Sequence, residues 1–320
     1  MGESDGPFVF EALQEREGRR VSRSPWGEDD EIGRLNWITP DSRRAILDHL
    51  DGRGVFDLSV DYFIGMPSWS AAGDPKFDAW MTHTPQGSIV DGLSGTPAEV
   101  HERYSYCGDS FAMYSHCGTH IDTLTHMGFD GLFWNGWKPA RDLGSRVWAK
   151  GGANRYPPII ARCLMLDVAG LHGVEELPDS HPISADDVRA ALREQSLEVR
   201  RGDVVLVRTG RMRRWPDASY ADDQPGMTVA AARHLLEEEG AMCIGTDTMS
   251  FEVLPSLEAD VFLPVHTYML ATAGAQLIEI VPMEELAAEG LDEFAFVGFP
   301  LKLTGMTGAP IRPIAVPLRD

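Results

Sequence analysis

The sequence predicts an α/β fold in a single domain, and three observations lead to this prediction. Patterns typical of helices and strands alternate through the second half of the chain, as they do in α/β proteins. Hydrophobic residues make up 43% of the 320 residues, which is ample for one large core. No internal repeat and no shift in composition marks a second globular domain.

The first hundred residues predict an arm, a helix, a strand and a long loop. Residues 1–24 are polar and charged and are predicted to form the arm. Thr39 and Pro40 have the residue types of an N-cap and a first helical position, so a helix is predicted to begin there. Residues 54–69 alternate apolar and polar side chains before a Gly-Met-Pro turn, which predicts a strand. Residues 70–100 are rich in Gly, Pro and Ser, which indicates a long loop or lid.

The second half supplies the alternating helices and strands. Residues 202–210 contain a continuous apolar run, which is typical of a central strand buried on both faces. Ser184 is the predicted cap of an amphipathic helix that carries Asp186 and Asp187 in its first turn. A further strand is predicted within 104–120, and the other predicted strands lie within 159–174, 241–247, 275–281, 293–303 and 310–318. The other predicted helices lie within 228–240 and 265–274.

Charge and composition exclude several classes of partner. The formal net charge is −21, so the chain as a whole repels phosphate backbones and nucleic acid is not an expected partner. No apolar run approaches the length of about 18 residues that a transmembrane helix needs, so no membrane partner is expected. The N-terminus lacks the apolar core of a secretory signal, and the four cysteines show no CxxC spacing. These features predict a cytoplasmic protein with reduced thiols.

The densest chemical feature of the chain is the segment 116–126. It holds three of the ten histidines and one aspartate: His116, His120, Asp122 and His126. A straight strand would separate His116 from His120 by about 13 Å, at roughly 3.3 Å per residue. A straight helix would turn Asp122 about 240° away from His116. Because two imidazoles reach one ion at about 2.0–2.1 Å each, the segment must bend to bind one, and Gly118 is placed to permit the bend.

Two imidazoles and a carboxylate form a ligand set suited to Zn²⁺, Mn²⁺ or Fe²⁺. Three protein ligands leave a coordination position open, which is the pattern of catalytic rather than structural sites, and such an ion activates water. His126 lies close enough in sequence to pass a proton from water to a leaving group. The alternative interpretation is a polar strand with scattered histidines. That interpretation is favoured for a lone histidine, but the density of these four groups favours a metal site.

The segment 116–126 resembles the signature His-x-Gly-Thr-His-x-Asp-x-Pro-x-His of the putative cyclase family of metal-dependent hydrolases. That family includes bacterial kynurenine formamidase, isatin hydrolase and a trans-dienelactone hydrolase. Leu124 stands where the formamidases have proline, which favours a divergent, longer subfamily. The resemblance covers roughly residues 54–318. It implies an N-terminal arm and helix at 1–53, followed by a hydrolase domain at 54–320.

The family resemblance also implies an architecture and a ligand set. It implies a mixed β-sheet core with a swivelling β/β/α topology, and a homodimer or homotetramer in which the arm could embrace a neighbour. It assigns His116, His120 and Asp122 to a Zn²⁺ or Mn²⁺ ion and makes His126 the catalytic acid/base. In members with two ions, Asp122 bridges to a second ion, for which His266 and Glu279 are the candidate ligands. Glu279 lies in an apolar run, and a buried carboxylate needs a partner.

The predicted function is hydrolysis of an amide, cyclic imide or lactone bond in a small, ring-bearing substrate. Trp69, Phe133, Trp134 and Trp137 are candidates for lining a pocket for a flat ring, although they could equally pack the loops that carry them. A cyclase or dehydratase that uses the same metal site is the alternative enzyme. A metal-stabilised binding protein without turnover is the alternative from another class, and it would require a closed four-ligand site.

Overall fold

The computed structural model describes residues 8–92, 95, 97–258 and 261–319. Most of the strands join one large sheet, and the others form three two-stranded pairs. The strands are β1 (Ala12–Arg16), β2 (Arg19–Ser22), β3 (Phe56–Asp57), β4 (Asp78–His83), β5 (Gly108–Ala112), β6 (His120–Asp122), β7 (Ile159–Asp167), β8 (Pro182–Ile183), β9 (Val204–Arg208), β10 (Gly226–Met227), β11 (Cys243–Thr246), β12 (Gln276–Glu279), β13 (Glu293–Gly298), β14 (Gly308–Pro310) and β15 (Ile314–Pro317).

The helices lie mainly between the strands of the second half. They are α1 (Pro40–Leu47), α2 (Pro85–Asp91), α3 (Ala98–His101), α4 (Pro139–Asp142), α5 (Val168–Leu171), α6 (Ala185–Glu194), α7 (Val229–Arg233), α8 (Pro264–Thr267) and α9 (Glu284–Glu289). Two π-helical stretches, His234–Glu238 and Tyr268–Ala273, continue α7 and α8. Short 3₁₀ turns occur at Gly33–Trp37, Trp134–Gly136, Ala153–Arg155, Arg211–Arg214 and Ala218–Ala221. No helix within the described ranges has the length and apolar character to cross a membrane.

The large sheet has nine strands in the order β14-β6-β12-β11-β9-β7-β13-β15-β3. The four strands β7, β9, β11 and β12 pair in parallel, and the other pairings are antiparallel. The predicted α/β class with a mixed sheet in one domain is therefore confirmed. Strand β9 is the fifth of the nine and is buried throughout, as its continuous apolar run predicts.

Two apolar layers cover the two faces of the sheet. Side chains along β9 alternate between them, because successive residues of a strand point to opposite faces. Val205 and Val207 belong to a cluster that includes Leu192 of α6. Val204 belongs to a second cluster, which includes Leu286 of α9. The central strand is thus covered by packed side chains on both faces.

Capping and glycine positions agree with the sequence predictions. The Thr39 side chain accepts a hydrogen bond from the backbone of Ser42, and α1 begins at Pro40. Ser184 caps α6 in the same way. The helix that begins at residue 265 in the prediction begins one residue earlier, at Pro264, and it ends at Gly274, where φ is +59°.

The region from 54 to 100 differs from its prediction. The predicted strand at 54–69 is limited to β3, because the chain then leaves the sheet edge and contacts the His-rich segment. The backbone N–H of Val60 donates to the Thr119 hydroxyl, and the Tyr62 hydroxyl donates to the Thr119 carbonyl. The predicted loop at 70–100 contains β4, which pairs with β5 in an antiparallel hairpin outside the large sheet. Residues 93, 94 and 96 of this predicted loop lie outside the described residues.

The described part of the N-terminal arm packs on its own chain. β1 and β2 form an antiparallel hairpin, and the buried Arg34 connects the segment to the core. Its guanidinium donates to the backbone carbonyls of Phe8, Leu236, Ala241 and Ala273. Residues 1–7 of the predicted arm lie outside the described residues, and the division between 1–53 and 54–320 stays a prediction.

Candidate metal centre

The His-rich segment bends where the sequence predicts. Residues 115–119 form a turn that leads into β6, and Gly118 in this turn has φ of +64°. The bend brings His116 back onto the strand, where its Nδ1 atom lies 2.6 Å from Oδ1 of Asp122. A Cβ atom at position 118 would lie 2.6 Å from the ring of Tyr62. Both the backbone conformation and the close approach therefore require glycine at this position.

Gly118→Ala is expected to destabilise the fold by about 2–4 kcal/mol, because a left-handed backbone and an overpacked contact each contribute. Gly65→Ala is the matched control, since Gly65 has φ of +93° and no atom within 4 Å of the added Cβ. The control should lose only the backbone contribution, about 1–2 kcal/mol. Urea unfolding of both variants measures the difference. Equal losses would show that the contact with Tyr62 is unimportant.

Sheet pairing brings a second acidic residue to the cluster. β6 lies between β14 and β12, and the antiparallel register with β12 sets Glu279 opposite His120. Nε2 of His120 lies 2.9 Å from Oε2 of Glu279 and 3.4 Å from Oδ1 of Asp122. The two predicted ligands from distant parts of the chain thus become neighbours through cross-strand pairing.

His266 and His126 approach the Asp122 carboxylate from outside β6. Nε2 of His266, in α8, lies 3.8 Å from Oδ2 of Asp122 and 3.3 Å from Oε1 of Glu279. Nε2 of His126 also lies 3.8 Å from Oδ2 of Asp122. The His126 ring stacks on that of His116, with 4.0 Å between the centroids. The structure therefore brings together all the predicted ligands and the predicted acid/base residue.

Buried polar atoms in this cluster lack hydrogen-bond partners among the described residues. They are Nε2 of His120, Oδ2 of Asp122 and Oε1 of Glu279. The approach of His120 to Glu279 is short but does not have hydrogen-bond geometry. A buried polar atom without a partner costs roughly 1–3 kcal/mol, so these atoms call for a ligand. A divalent cation would satisfy all three, and the imidazole and carboxylate donors are those that Zn²⁺ and Mn²⁺ accept.

Hydrogen bonds behind the cluster set the orientation of two imidazoles. Nδ1 of His120 lies 2.8 Å from the carbonyl oxygen of Gly118, which can only accept a hydrogen bond. That contact places a proton on Nδ1, so Nε2, which faces the carboxylates, is the nitrogen that can bind an ion once it has lost its own proton. Nδ1 of His266 lies 2.7 Å from Oε1 of Glu252, so its Nε2 also points into the cluster.

The pKa shifts in the cluster arise from burial and from the close contact between its carboxylates and imidazoles. Burial would raise the pKa of Asp122, but the surrounding imidazoles, two of which hydrogen-bond to it, hold it well below its usual value. Burial disfavours a charged imidazole at His120, yet Asp122 and Glu279 raise its pKa to about 10. Burial lowers the pKa of His126 to about 3, helped by the neighbouring imidazoles and only partly opposed by Asp122. At this pKa His126 is neutral at pH 7 in the metal-free cluster.

Glu252 is a functional candidate that the sequence analysis did not single out. Its side chain is 1% exposed and accepts hydrogen bonds from the backbone N–H groups of Val265 and His266 as well as contacting the His266 ring. A buried glutamate between apolar residues was the available signal, the same one that drew attention to Glu279. Glu252 orients His266 in the manner of a carboxylate behind a metal-binding histidine.

Glu252→Gln is expected to weaken metal binding on the His266 side by about 10–100-fold, because the amide is a poorer acceptor for the imidazole N–H. Titration of the metal-depleted protein against a competing chelator measures this change. Glu285→Gln, an exposed position in α9, is the control and should leave the affinity unchanged. Unaltered affinity in the Glu252 variant would contradict the orienting role.

A cavity of about 290 Å³ opens beside the cluster. Its walls include His116, His126, His266 and Glu279 together with apolar side chains, among them Trp69, Met127, Met249 and Phe262. The rings of Trp69 and Phe262 are tilted, with their centroids 6.3 Å apart. A larger cavity of about 370 Å³ lies between the N-terminal hairpin and the helices α7 and α8 with their π-helical continuations, and none of the cluster residues lines it.

The other predicted pocket aromatics lie elsewhere. Trp134 and Trp137 are fully buried in the core, and the Trp134 indole N–H donates to Asp30. Phe133 packs edge-on against Trp148, with 4.7 Å between ring centroids. None of these three is among the described residues that line the cavity. Their positions match the alternative in which these rings pack the loops that carry them. Large aromatic rings bury much apolar surface when they pack in the core.

Leu124, at the position where the resemblance expects proline, is buried in the core. Its backbone N–H donates to the Tyr156 hydroxyl at 3.1 Å. A proline has no N–H and could not make this bond. Leu124 therefore provides a backbone N–H for Tyr156, outside the segment 116–126, that the proline of the signature would lack.

Comparison with known proteins agrees with this geometry. Residues 56–253, more than half of the 320, match the family model described as "Putative cyclase". The chain belongs to the cyclase family. No curated protein sequence matches it. A crystal structure described as a novel cyclase is 26% identical, with a TM-score of 0.79, and the match covers 91% of this chain and 95% of that one.

More distant solved structures share the fold. Isatin hydrolase A from Ralstonia solanacearum is 19% identical with a TM-score of 0.61, and the match covers 82% of this chain and 92% of that one. A predicted metal-dependent hydrolase from Bacillus stearothermophilus is 19% identical with a TM-score of 0.50, over 82% of this chain and 98% of that one. The predicted family is confirmed. The family match stands beside a His/Asp cluster that could hold a metal ion.

Proposed function

We propose that this protein is a metal-dependent hydrolase that cleaves an amide, cyclic imide or lactone bond in a small, ring-bearing substrate. One observation carries the proposal. The unpartnered atoms of His120, Asp122 and Glu279 converge next to a cavity large enough for a small ring compound. The hydrolases among the structural neighbours support the same reaction class.

The ligands divide into two groups that share one carboxylate. His116, His120 and Asp122 would hold one Zn²⁺ or Mn²⁺ ion. The other oxygen of Asp122 faces His266, which in turn lies 3.3 Å from Glu279, so these three residues could hold a second ion. A bound divalent cation supplies polarisation of the substrate carbonyl and an activated water.

His126 is placed to move a proton. It lines the cavity, its side chain is 19% exposed, and it lies farther from Asp122 than His116 does. In this proposal its Nε2 atom accepts the proton of the attacking water and returns it to the leaving nitrogen or oxygen. Trp69 and Phe262 also line the cavity, and a flat substrate would pack against their rings.

A cyclase is the second candidate, because one solved neighbour is described as a novel cyclase. Ring closure and ring opening can use the same groups, since both move a proton to or from a heteroatom beside a polarised carbonyl. A binding protein without turnover fits less well. Four cluster residues reach the wall of an open cavity, whereas a purely structural site is closed by its own ligands.

The decisive experiment is a substrate screen on metal-depleted protein reconstituted with Zn²⁺ or Mn²⁺. Small aromatic amides, cyclic imides and lactones are supplied together with the corresponding open-chain acids, and products are followed by mass spectrometry. We expect hydrolysis only with metal added. Accumulation of ring-closed products from the acids would favour the cyclase. Full metal content without turnover of any compound would support the binding protein.

A further inference from the structure

A second group of metal-ligating side chains lies away from the candidate centre. It consists of His172 at the end of α5, His181 just before β8 and Asp187 in the first turn of α6. One ring nitrogen of each histidine and one carboxylate oxygen lie within 4.8 Å of one another. None of the three belongs to the cluster around Asp122. We propose that these residues form an auxiliary site for a divalent transition metal, Zn²⁺ by its ligand chemistry.

The carboxylate is already oriented for binding. Oδ2 of Asp187 accepts hydrogen bonds from the backbone N–H and the hydroxyl of Ser184, as part of the cap of α6. Oδ1 is left to face His172, whose Nε2 atom lies 3.0 Å away. The capping bonds therefore hold one ligand oxygen in place before any ion arrives, which lowers the entropy that binding must remove.

The His172–Asp187 ion pair does not explain the position of His181. Its Nε2 atom is shielded from solvent and has no hydrogen-bond partner among the described residues. Its backbone is held on both sides, because its N–H donates to Pro178 and its carbonyl accepts from Gly226. The His172 and His181 rings meet edge to face with centroids 5.0 Å apart. A His172–Asp187 ion pair alone leaves the second imidazole unused, whereas a shared cation uses both.

The distances suit a tetrahedral ion after a small movement. Two ligand atoms bound to Zn²⁺ at about 2.0–2.1 Å lie roughly 3.3 Å apart. The His172 side chain is 36% exposed and can turn to close the remaining gap. The same exposure leaves a fourth position for water. The chain's net charge of −21 also raises the local concentration of cations.

The ion would connect the segment between β7 and β9 at three points. It would tie the end of α5 and the residue before β8 to the start of α6. Zinc should therefore raise the melting temperature, by about 4 °C when its concentration is a hundredfold above the dissociation constant. The effect arises because only the folded chain brings the three ligands together.

Zinc stoichiometry of the full-length protein tests the proposal. Metal-depleted wild type, His181→Ala and the control His49→Ala are dialysed against Zn²⁺ and analysed for bound metal. His49 is exposed at the end of α1, so its removal should change nothing. We expect His181→Ala to bind one equivalent less than the other two, and its zinc-dependent rise in melting temperature to be smaller by about 4 °C. Equal stoichiometry in all three proteins would overturn the proposal.

The exposed His172 provides a second variant if His181→Ala does not fold. His172→Ala should show the same loss of one equivalent. Asp122→Asn addresses the other centre, and it should keep the zinc equivalent that His181→Ala loses. A protein without hydrolytic activity can still show this pattern, so failure of the proposed function and failure of the auxiliary site give different results.

Discussion

Asp122→Asn is expected to abolish metal binding at the candidate centre and to lower kcat/KM by at least about 1,000-fold, since the ion supplies several kcal/mol of transition-state stabilisation. Asp122 is fully buried, and its two oxygens face His116 and His120 on one side and His126 and His266 on the other. Asparagine keeps the shape but removes the charge and one acceptor, so an ion at the centre loses its carboxylate ligand.

Elemental analysis after dialysis and steady-state kinetics measure the two losses separately. Asp74→Asn is the matched control, because Asp74 lines the same cavity but is not among the residues grouped as ligands. The control should keep its full metal content. If Asp122→Asn kept its full metal content as well, the assignment of the centre would be wrong. Circular dichroism establishes that each variant is folded.

His126→Ala is expected to keep its metal and to lose about 100- to 10,000-fold in kcat, the range typical of a removed general acid/base. The expectation depends on geometry. His126 is the most exposed histidine of the cluster, and its Nε2 atom lies 3.8 Å from an Asp122 oxygen, whereas Nδ1 of His116 lies 2.6 Å from one. It thus reaches the cavity from the exposed side of the cluster.

His126 could be a metal ligand instead of an acid/base, because it lies close enough to Asp122 and His266 to form a metal site with them. The metal content of the variant decides between these two roles. Loss of one equivalent of metal in His126→Ala would make it a ligand instead of an acid/base. Retention of both metal and full turnover on a true substrate would remove it from the mechanism altogether. His49→Ala serves again as the control for a histidine replaced outside the centre.

Much of the candidate centre could be predicted because its ligands are close in sequence. His116, His120 and Asp122 are separated by few residues, so elementary chain geometry already required a bend, and Gly118 provides it with a positive φ. The apolar run of β9 predicted a central strand, and Thr39 and Ser184 predicted the starts of two helices. Each of these features depends on neighbouring residues alone.

The aromatic residues show where such local inference stops. Trp69 and Trp134 are equally plausible pocket residues from composition, yet one lines the cavity and the other is buried beside Asp30. Their side-chain chemistry is the same, and only the packing of distant segments distinguishes them. Glu252 was overlooked for the same reason, since its contact with His266 spans a separation of 14 residues that no regular element fixes.

The sequence by itself determined the fold class, the family resemblance and the four residues of the His-rich segment. Tertiary structure alone decided that Glu279 faces His120, that Glu252 orients His266, and that His172, His181 and Asp187 meet. The physical reason is the range of the interactions. Caps, turns and strand patterns arise from adjacent residues, whereas sheet register and the burial of a carboxylate arise from how the whole core packs.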